Sequence, residues 1–195
     1  MCIICVSPKG IRQPNETTLR TMFAHNPHGA GYMVARDGSV RIHKGYMDVE
    51  KFLAAVKKEH FTARDSVVYH FRISTQAGVN PGMTHPFPLS NLGKDLRALD
   101  IDCDFGIAHN GIIRLTSDPY EDRYSDTAIF IKEYMSRLIK TPHDLKNRNT
   151  LRTIEELAQS RFAIMDGSGY VAMVGSFISE KGLFFSNTSY RPRTW

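Results

Sequence analysis

Cysteine is scarce in this chain: three in 195 residues, an odd number, with only Cys2 and Cys5 close together. That is too few for a disulfide framework, so the fold must rest on a packed core. Long apolar runs are missing too. No stretch approaches the roughly 20 residues that cross a bilayer as a helix. The opening MCIICVSPKG lacks the basic start, long apolar middle and small-residue cleavage site of a secretory signal. The expectation is a cytoplasmic protein with no membrane partner. There is no repeat, low-complexity segment or linker, which predicts one domain over residues 1–195. The eight histidines show no HExxH or similar ligand spacing, so neither a metal site nor a cofactor is expected. The net charge of +5 is spread over short, separated basic clusters, which argues against a nucleic-acid partner.

What is present is an ordinary globular composition, 42% hydrophobic and 23% charged. Residues 2–7 read as a buried strand. Asn15 is a good N-cap for a helix carrying Leu19, Met22 and Phe23 on one face. GYMVA and VRIHK form a hairpin through Asp37-Gly38, and Asp48 caps a helix with Val49, Phe52, Leu53 and Val56 at i, i+3, i+4, i+7 spacing. Residues 66–75 alternate, with Val67, Tyr69, Phe71 and Ile73 on one face and Val68, His70, Arg72 and Ser74 on a more polar one. Gly78 to Leu99 reads as a long irregular connection. A short strand from Phe105 to Ala108 follows, then a turn at Asn110-Gly111. Helices are predicted at about Asp126 to Ile139 and Leu151 to Ala158, and three strands (FAIM, YVAMV, LFFS) close the chain. This mixture of hairpins and helices predicts an α+β domain of mainly antiparallel sheets.

Cys2 stands out by position. Removal of Met1 exposes its α-amine, whose ordinary pKa of about 7.7–8.0 suits it to serve as base for the thiol of the same residue. The plainer reading is a buried strand cysteine, and on position alone that reading has the edge. Cys5 shares the neighbourhood but not the amine. A redox or metal CxxC is disfavoured, because residues three apart on a strand face opposite ways. Arg72 offers a bidentate fork for a carboxylate, or is simply a surface arginine. Asn110 with the Gly111 N–H is a candidate oxyanion hole, although Asn-Gly is also the commonest tight-turn pair. Asp126 opens a helix, as a cap shared with Ser125 or as a carboxylate for a ligand's amino group.

Taken together, these residues resemble the class II glutamine amidotransferases, which are N-terminal nucleophile hydrolases. The resemblance rests on Cys2 directly after Met1, Arg72 in HFRIST, Thr84-His85-Pro86-Phe87, Ala108-His109-Asn110-Gly111 and Ser125-Asp126-Thr127, in the family's order. NPHGAGY, from Asn26 to Tyr32, is similar to a glycine-rich segment of the family, and the match spans about residues 2–175. Three features depart from the family pattern. Ile3 stands where glycine is common, Ile73 stands where an aromatic is common, and the segment from Arg72 to Gly78 is one residue longer.

The resemblance implies a four-layer αββα sandwich, the N-terminal nucleophile hydrolase fold. It also implies glutamine hydrolysis through a Cys2 thioester, with Asn110 and Gly111 holding the oxyanion. Arg72 would clamp the substrate carboxylate and Asp126 its ammonium, with Thr75 and His85 in supporting substrate-binding positions. Ammonia would pass to an acceptor enzyme on a separate protein. The alternatives are a related amidohydrolase acting on another amide, and a degenerate module that binds a ligand without catalysis.

Overall fold

The computed structural model describes residues 1–73, 79–114 and 124–192. Its strands are β1 (Ile3–Ser7), β2 (Ala30–Arg36), β3 (Ser39–Tyr46), β4 (Val67–Phe71), β5 (Phe87–Pro88), β6 (Asp100–Cys103), β7 (Phe105–Asn110), β8 (Arg161–Asp166), β9 (Val171–Val174), β10 (Ile178–Glu180) and β11 (Leu183–Phe185). Its α-helices are α1 (Glu16–His25), α2 (Val49–Lys58), α3 (Gly93–Arg97), α4 (Asp126–Phe130), α5 (Ser136–Leu138) and α6 (Arg148–Ala158). The strands form a seven-stranded sheet, in the order β10-β11-β1-β4-β2-β3-β6, and a four-stranded sheet, β5-β7-β8-β9. All the strand pairings described are antiparallel. The protein is therefore α+β, as the sequence predicts.

Alternation along the strands sorts the side chains into three cores. Ile3, Cys5, Tyr32, Tyr69 and Phe71 pack with Leu19, Met22 and Phe23 of α1 and Phe52 of α2. The opposite faces supply Ile4, Val6, Met33 and Val68, which meet Ala108, Ala163 and Met165 of the other sheet. Beyond that sheet, Ile107, Phe162 and Ile164 pack against Phe130 of α4 and Ile154 of α6. The packing is compatible with a layered sandwich. Among the described residues no helix is long and apolar enough to cross a membrane.

Local chemistry sets the early elements. Asn15 accepts the Thr18 N–H and Asp48 accepts the Lys51 N–H, each capping its helix. Asp37 and Gly38 both adopt positive φ, 51° and 81°, as a two-residue hairpin turn requires.

Four expectations need correction. The stretch read as irregular between Gly78 and Leu99 contains a 3₁₀ turn (Pro81–Met83), β5 and α3. Buried Lys44 pins it, donating from Nζ to the carbonyls of Gly82 and Leu96 at 3.1 and 2.7 Å. The helix expected from Asp126 to Ile139 is interrupted by a π-turn at Ile131–Met135, and Ile139 is extended. Besides β5, two further strands were not foreseen, β6 and β10, and both are sheet edges. Finally, Asn110 does not sit in a tight turn. It ends β7 and pairs with Arg161, so tertiary pairing overrides the turn propensity of Asn-Gly.

Candidate active site

The pairing of β1 with β4 brings the nucleophile and the arginine together. Ile3 lies opposite Phe71, so Cys2 and Arg72 are the next residues outward on neighbouring strands. Both share the parity of Ile4 and Val68, which face the second sheet. The face read from sequence as polar is thus an interior face, and Arg72 is only 5% exposed. Its backbone continues the sheet, donating from N to the Gly29 carbonyl and accepting from the His28 N–H. Its guanidinium lies within electrostatic reach of both the Cys2 thiol and the Asp126 carboxylate, while burial lowers its pKa. Cys5 points the other way, into the core under α1, as the strand period predicts.

The Cys2 thiol contacts the Ile73 carbonyl at 3.6 Å, and the Cys2 carbonyl accepts from Asn187 Nδ2 at 2.6 Å. Burial pushes the thiol pKa up, while the Arg72 charge and the amino terminus of the chain pull against that shift. Met1 is 68% exposed, so it contributes nothing to the core. The Ile3 side chain is fully buried in the helix-side core, on the face away from the thiol. Its bulk therefore serves packing and leaves the thiol's face clear.

From the second sheet, Asn110 faces the same inter-sheet space and is fully buried. Its Nδ2 donates to Ser186 Oγ at 2.9 Å, which in turn accepts the Ile4 N–H at 2.9 Å. Nδ2 carries a second N–H that this bond does not use. Asn110 Oδ1 has no hydrogen-bond partner. Gly111 is required by close approach. A Cβ there would lie 1.7 Å from Ser160 Oγ, so any side chain would displace Ser160.

Ser125 is the N-cap of α4, accepting the Ala128 N–H, and Asp126 occupies the first helical position. Asp126 Oδ2 accepts the Ile113 N–H at 2.8 Å and Oδ1 accepts the Thr127 N–H at 2.7 Å. A carboxylate has about four acceptor positions, so these two bonds and a longer one from the Thr127 hydroxyl at 3.3 Å leave capacity for a ligand cation.

His85 is buried, its ring 4.2 Å from that of His70 and 4.7 Å from that of Phe87, and neither ring nitrogen has a hydrogen-bond partner. His70 Nε2 bonds the His109 carbonyl at 2.9 Å, joining the two sheets. Burial keeps these imidazoles neutral, with His70 lowered to about 3 and His109 to about 4. Among the described residues no group of His, Cys, Asp or Glu is arranged to hold a metal. Thr75 lies outside the described residues.

The sequence reading missed Ser186, Asn187, Ser160 and Thr127. Only Thr127 stood within a noticed motif; the rest are ordinary polar residues identified by their partners alone. The motif glycines of NPHGAGY and the THPF segment also prove to be linked by packing. A Cβ on Gly31 would lie 2.3 Å from the His85 carbonyl.

The arrangement places the Arg72 guanidinium within electrostatic reach of both the Cys2 thiol and the Asp126 carboxylate, with the Asn110 amide directed into the inter-sheet space that the thiol and guanidinium face. No protein-family model matches this chain, and a search among curated proteins finds no matching sequence.

Proposed function

We propose that this chain, once Met1 is removed, hydrolyses the side-chain amide of glutamine as a class II glutamine amidotransferase with an N-terminal cysteine nucleophile. The observation that carries this reading is the position of Arg72, buried beside the Cys2 thiol and within electrostatic reach of Asp126. A cation and a carboxylate flanking a nucleophile can read the two charged ends of a free α-amino acid and reject analogues lacking either. The sequence of the three cores, helix–sheet, sheet–sheet and sheet–helix, supports reading the fold as the αββα sandwich of N-terminal nucleophile hydrolases.

In this mechanism the freed α-amine of Cys2 takes the thiol proton as Sγ attacks the amide carbon. The developing oxyanion is held by Asn110 Nδ2 and the Gly111 N–H. The C–N bond breaks, the proton goes to the leaving nitrogen, and ammonia departs from a γ-glutamyl thioester. Water, deprotonated by the same amine, attacks the thioester and releases glutamate. Arg72 and Asp126 hold the α-carboxylate and α-ammonium throughout, with the buried His85 within electrostatic reach of Arg72. The ammonia serves an acceptor on a separate protein, or is released.

The test is to incubate processed protein and its Cys2→Ala variant with glutamine and with a panel of other amides, measuring glutamate and ammonia. The expected result is turnover of glutamine alone, lost in Cys2→Ala. Cleavage of a different amide in preference to glutamine would reassign the substrate. Glutamine binding with no turnover by processed protein would make it a binding module.

A further inference from the structure

The imidazole of His109 lies on the helix side of β7, behind Asn110, stacked on Phe162 with ring centroids 4.7 Å apart. It is 2% exposed, and both its nitrogens are engaged. Nδ1 lies 2.7 Å from Thr127 Oγ1, and Nε2 lies 2.7 Å from Ser160 Oγ. Each hydroxyl leads on to a residue of the candidate site. Ser160 Oγ is 3.1 Å from the Asn110 carbonyl, and Thr127 Oγ1 is 3.3 Å from Asp126 Oδ1.

A neutral imidazole carries one N–H, and each hydroxyl has one proton to give. With the proton on Nε2, the ring donates to Ser160, Ser160 donates to the Asn110 carbonyl, and Thr127 donates to Nδ1. Thr127 then has no proton left for Asp126. With the proton on Nδ1, the ring donates to Thr127, Thr127 donates to Asp126, and Ser160 donates to Nε2. Ser160 then has none left for Asn110. The two ends cannot be supported at once.

We propose that His109 is a positioning residue whose tautomer couples the two ends of the site, supporting either the Asn110 backbone or the Asp126 carboxylate. The proposal rests on the glutaminase reading for what those two residues do, but not for the hydrogen-bond chain itself. An α-ammonium group docking on Asp126 supplies the carboxylate with new donors. The Thr127 bond to Asp126 then loses its advantage, and the ring moves its proton to Nε2. Substrate binding thereby fixes the strand end that carries the oxyanion amide.

The experiment is ¹⁵N NMR of histidine-labelled protein, in which the His109 nitrogens report the tautomer directly. Thr127→Val removes the acceptor that an Nδ1–H needs, so the ring holds its proton on Nε2. Ser160→Ala removes the acceptor at Nε2, so the proton moves to Nδ1. Thr127→Ser, which keeps the hydroxyl, behaves as the parent protein; with Thr127→Val it decides the matter even if Ser160→Ala fails to fold. The same tautomer in the parent and in every folded variant overturns the proposal.

Glutamate, which carries the ammonium but is not turned over, is the ligand probe. Its binding should move the ring toward Nε2–H, and binding with no tautomer change also overturns the coupling. If glutamate does not bind, the glutaminase reading fails, while the variants still decide the network. In active protein, Ser160→Ala lowers kcat about fivefold with KM little changed, and Thr127→Val raises KM by a similar factor. Equal effects on both parameters in both variants would mark a merely structural role and count against the coupling.

Discussion

The two halves of the candidate site are held in different ways. Cys2 and Arg72 are placed by sheet register, one residue beyond the Ile3–Phe71 pair, and Arg72 is bonded through its backbone to His28 and Gly29. Asn110, at the end of β7, and Asp126, bonded to the Ile113 and Thr127 N–H groups, lean on further side-chain bonds: Ser186 on the Asn110 amide, Ser160 on its carbonyl, and the Thr127 hydroxyl on the carboxylate. A register-held residue has many backbone bonds behind it, so loss of one neighbour costs little. A residue held by side-chain bonds loses its geometry when a single hydroxyl is removed. The nucleophile half should therefore tolerate local substitution, and the oxyanion half should not.

Substitutions on each half break or sharpen this contrast. The largest effect belongs to the oxyanion half: Asn110→Ala should lower kcat by about 10²- to 10³-fold, with a smaller change in KM, as for loss of a single oxyanion donor. Steady-state kinetics on glutamine check this. Next comes Ser186→Ala, which leaves both the Ile4 N–H and the Asn110 amide short of a buried partner. It should cost about 2–4 kcal/mol in denaturant unfolding. The seam between the halves comes third. Burial lowers His70 to about 3 and His109 to about 4, and lowers His85 well below its ordinary value. In the unfolded chain each returns to about 6.5, so between these limits the unfolded state binds more protons. Stability is then fully present above about pH 6.5 and falls as pH drops toward the folded values. Each histidine contributes on the order of 1 kcal/mol per pH unit, which thermal unfolding at stepped pH will measure. The smallest effect belongs to the register-held half. Asn187→Ala removes its bond to the Cys2 carbonyl and the one it accepts from the Ser189 N–H, both only partly buried, and should cost about 1–2 kcal/mol. Should Asn187→Ala cost as much as Ser186→Ala, the contrast fails.

The same contrast explains what was legible in the sequence. Asn15, Asp37-Gly38 and Asp48 announce their caps and turn through local chemistry, and the structure has each in that role. The alternation of Val67 to Phe71 reveals a strand, and hence where Arg72 lies. It does not reveal that β4 is central, so Arg72's face was read as the more polar one when it is an interior one. Strands β6 and β10 were invisible because edge strands are defined by their ladder. Asp100, Asp102 and Ser179 bury too little to leave a pattern. Ser186 lies 182 positions from Ile4 and 76 from Asn110, Asn187 lies 185 from Cys2, and no local signal marks them. Asn110 shows the opposite failure: a strong local turn signal was overridden by pairing with Arg161 and by the Ser186 bond.

All of this centres on Cys2, which differs from the chain's other thiols in what surrounds it. Burial raises Cys5, which faces the helix-side core, and raises Cys103 to about 12. Neither has Arg72 beside it. The most direct measurement is mass spectrometry of intact and digested protein after exposure to a glutamine-mimicking electrophile. A single covalent adduct on Cys2, in chains that have lost Met1 and not in those that retain it, is the predicted result. An adduct on Cys5 or Cys103, or none on processed protein, would contradict it.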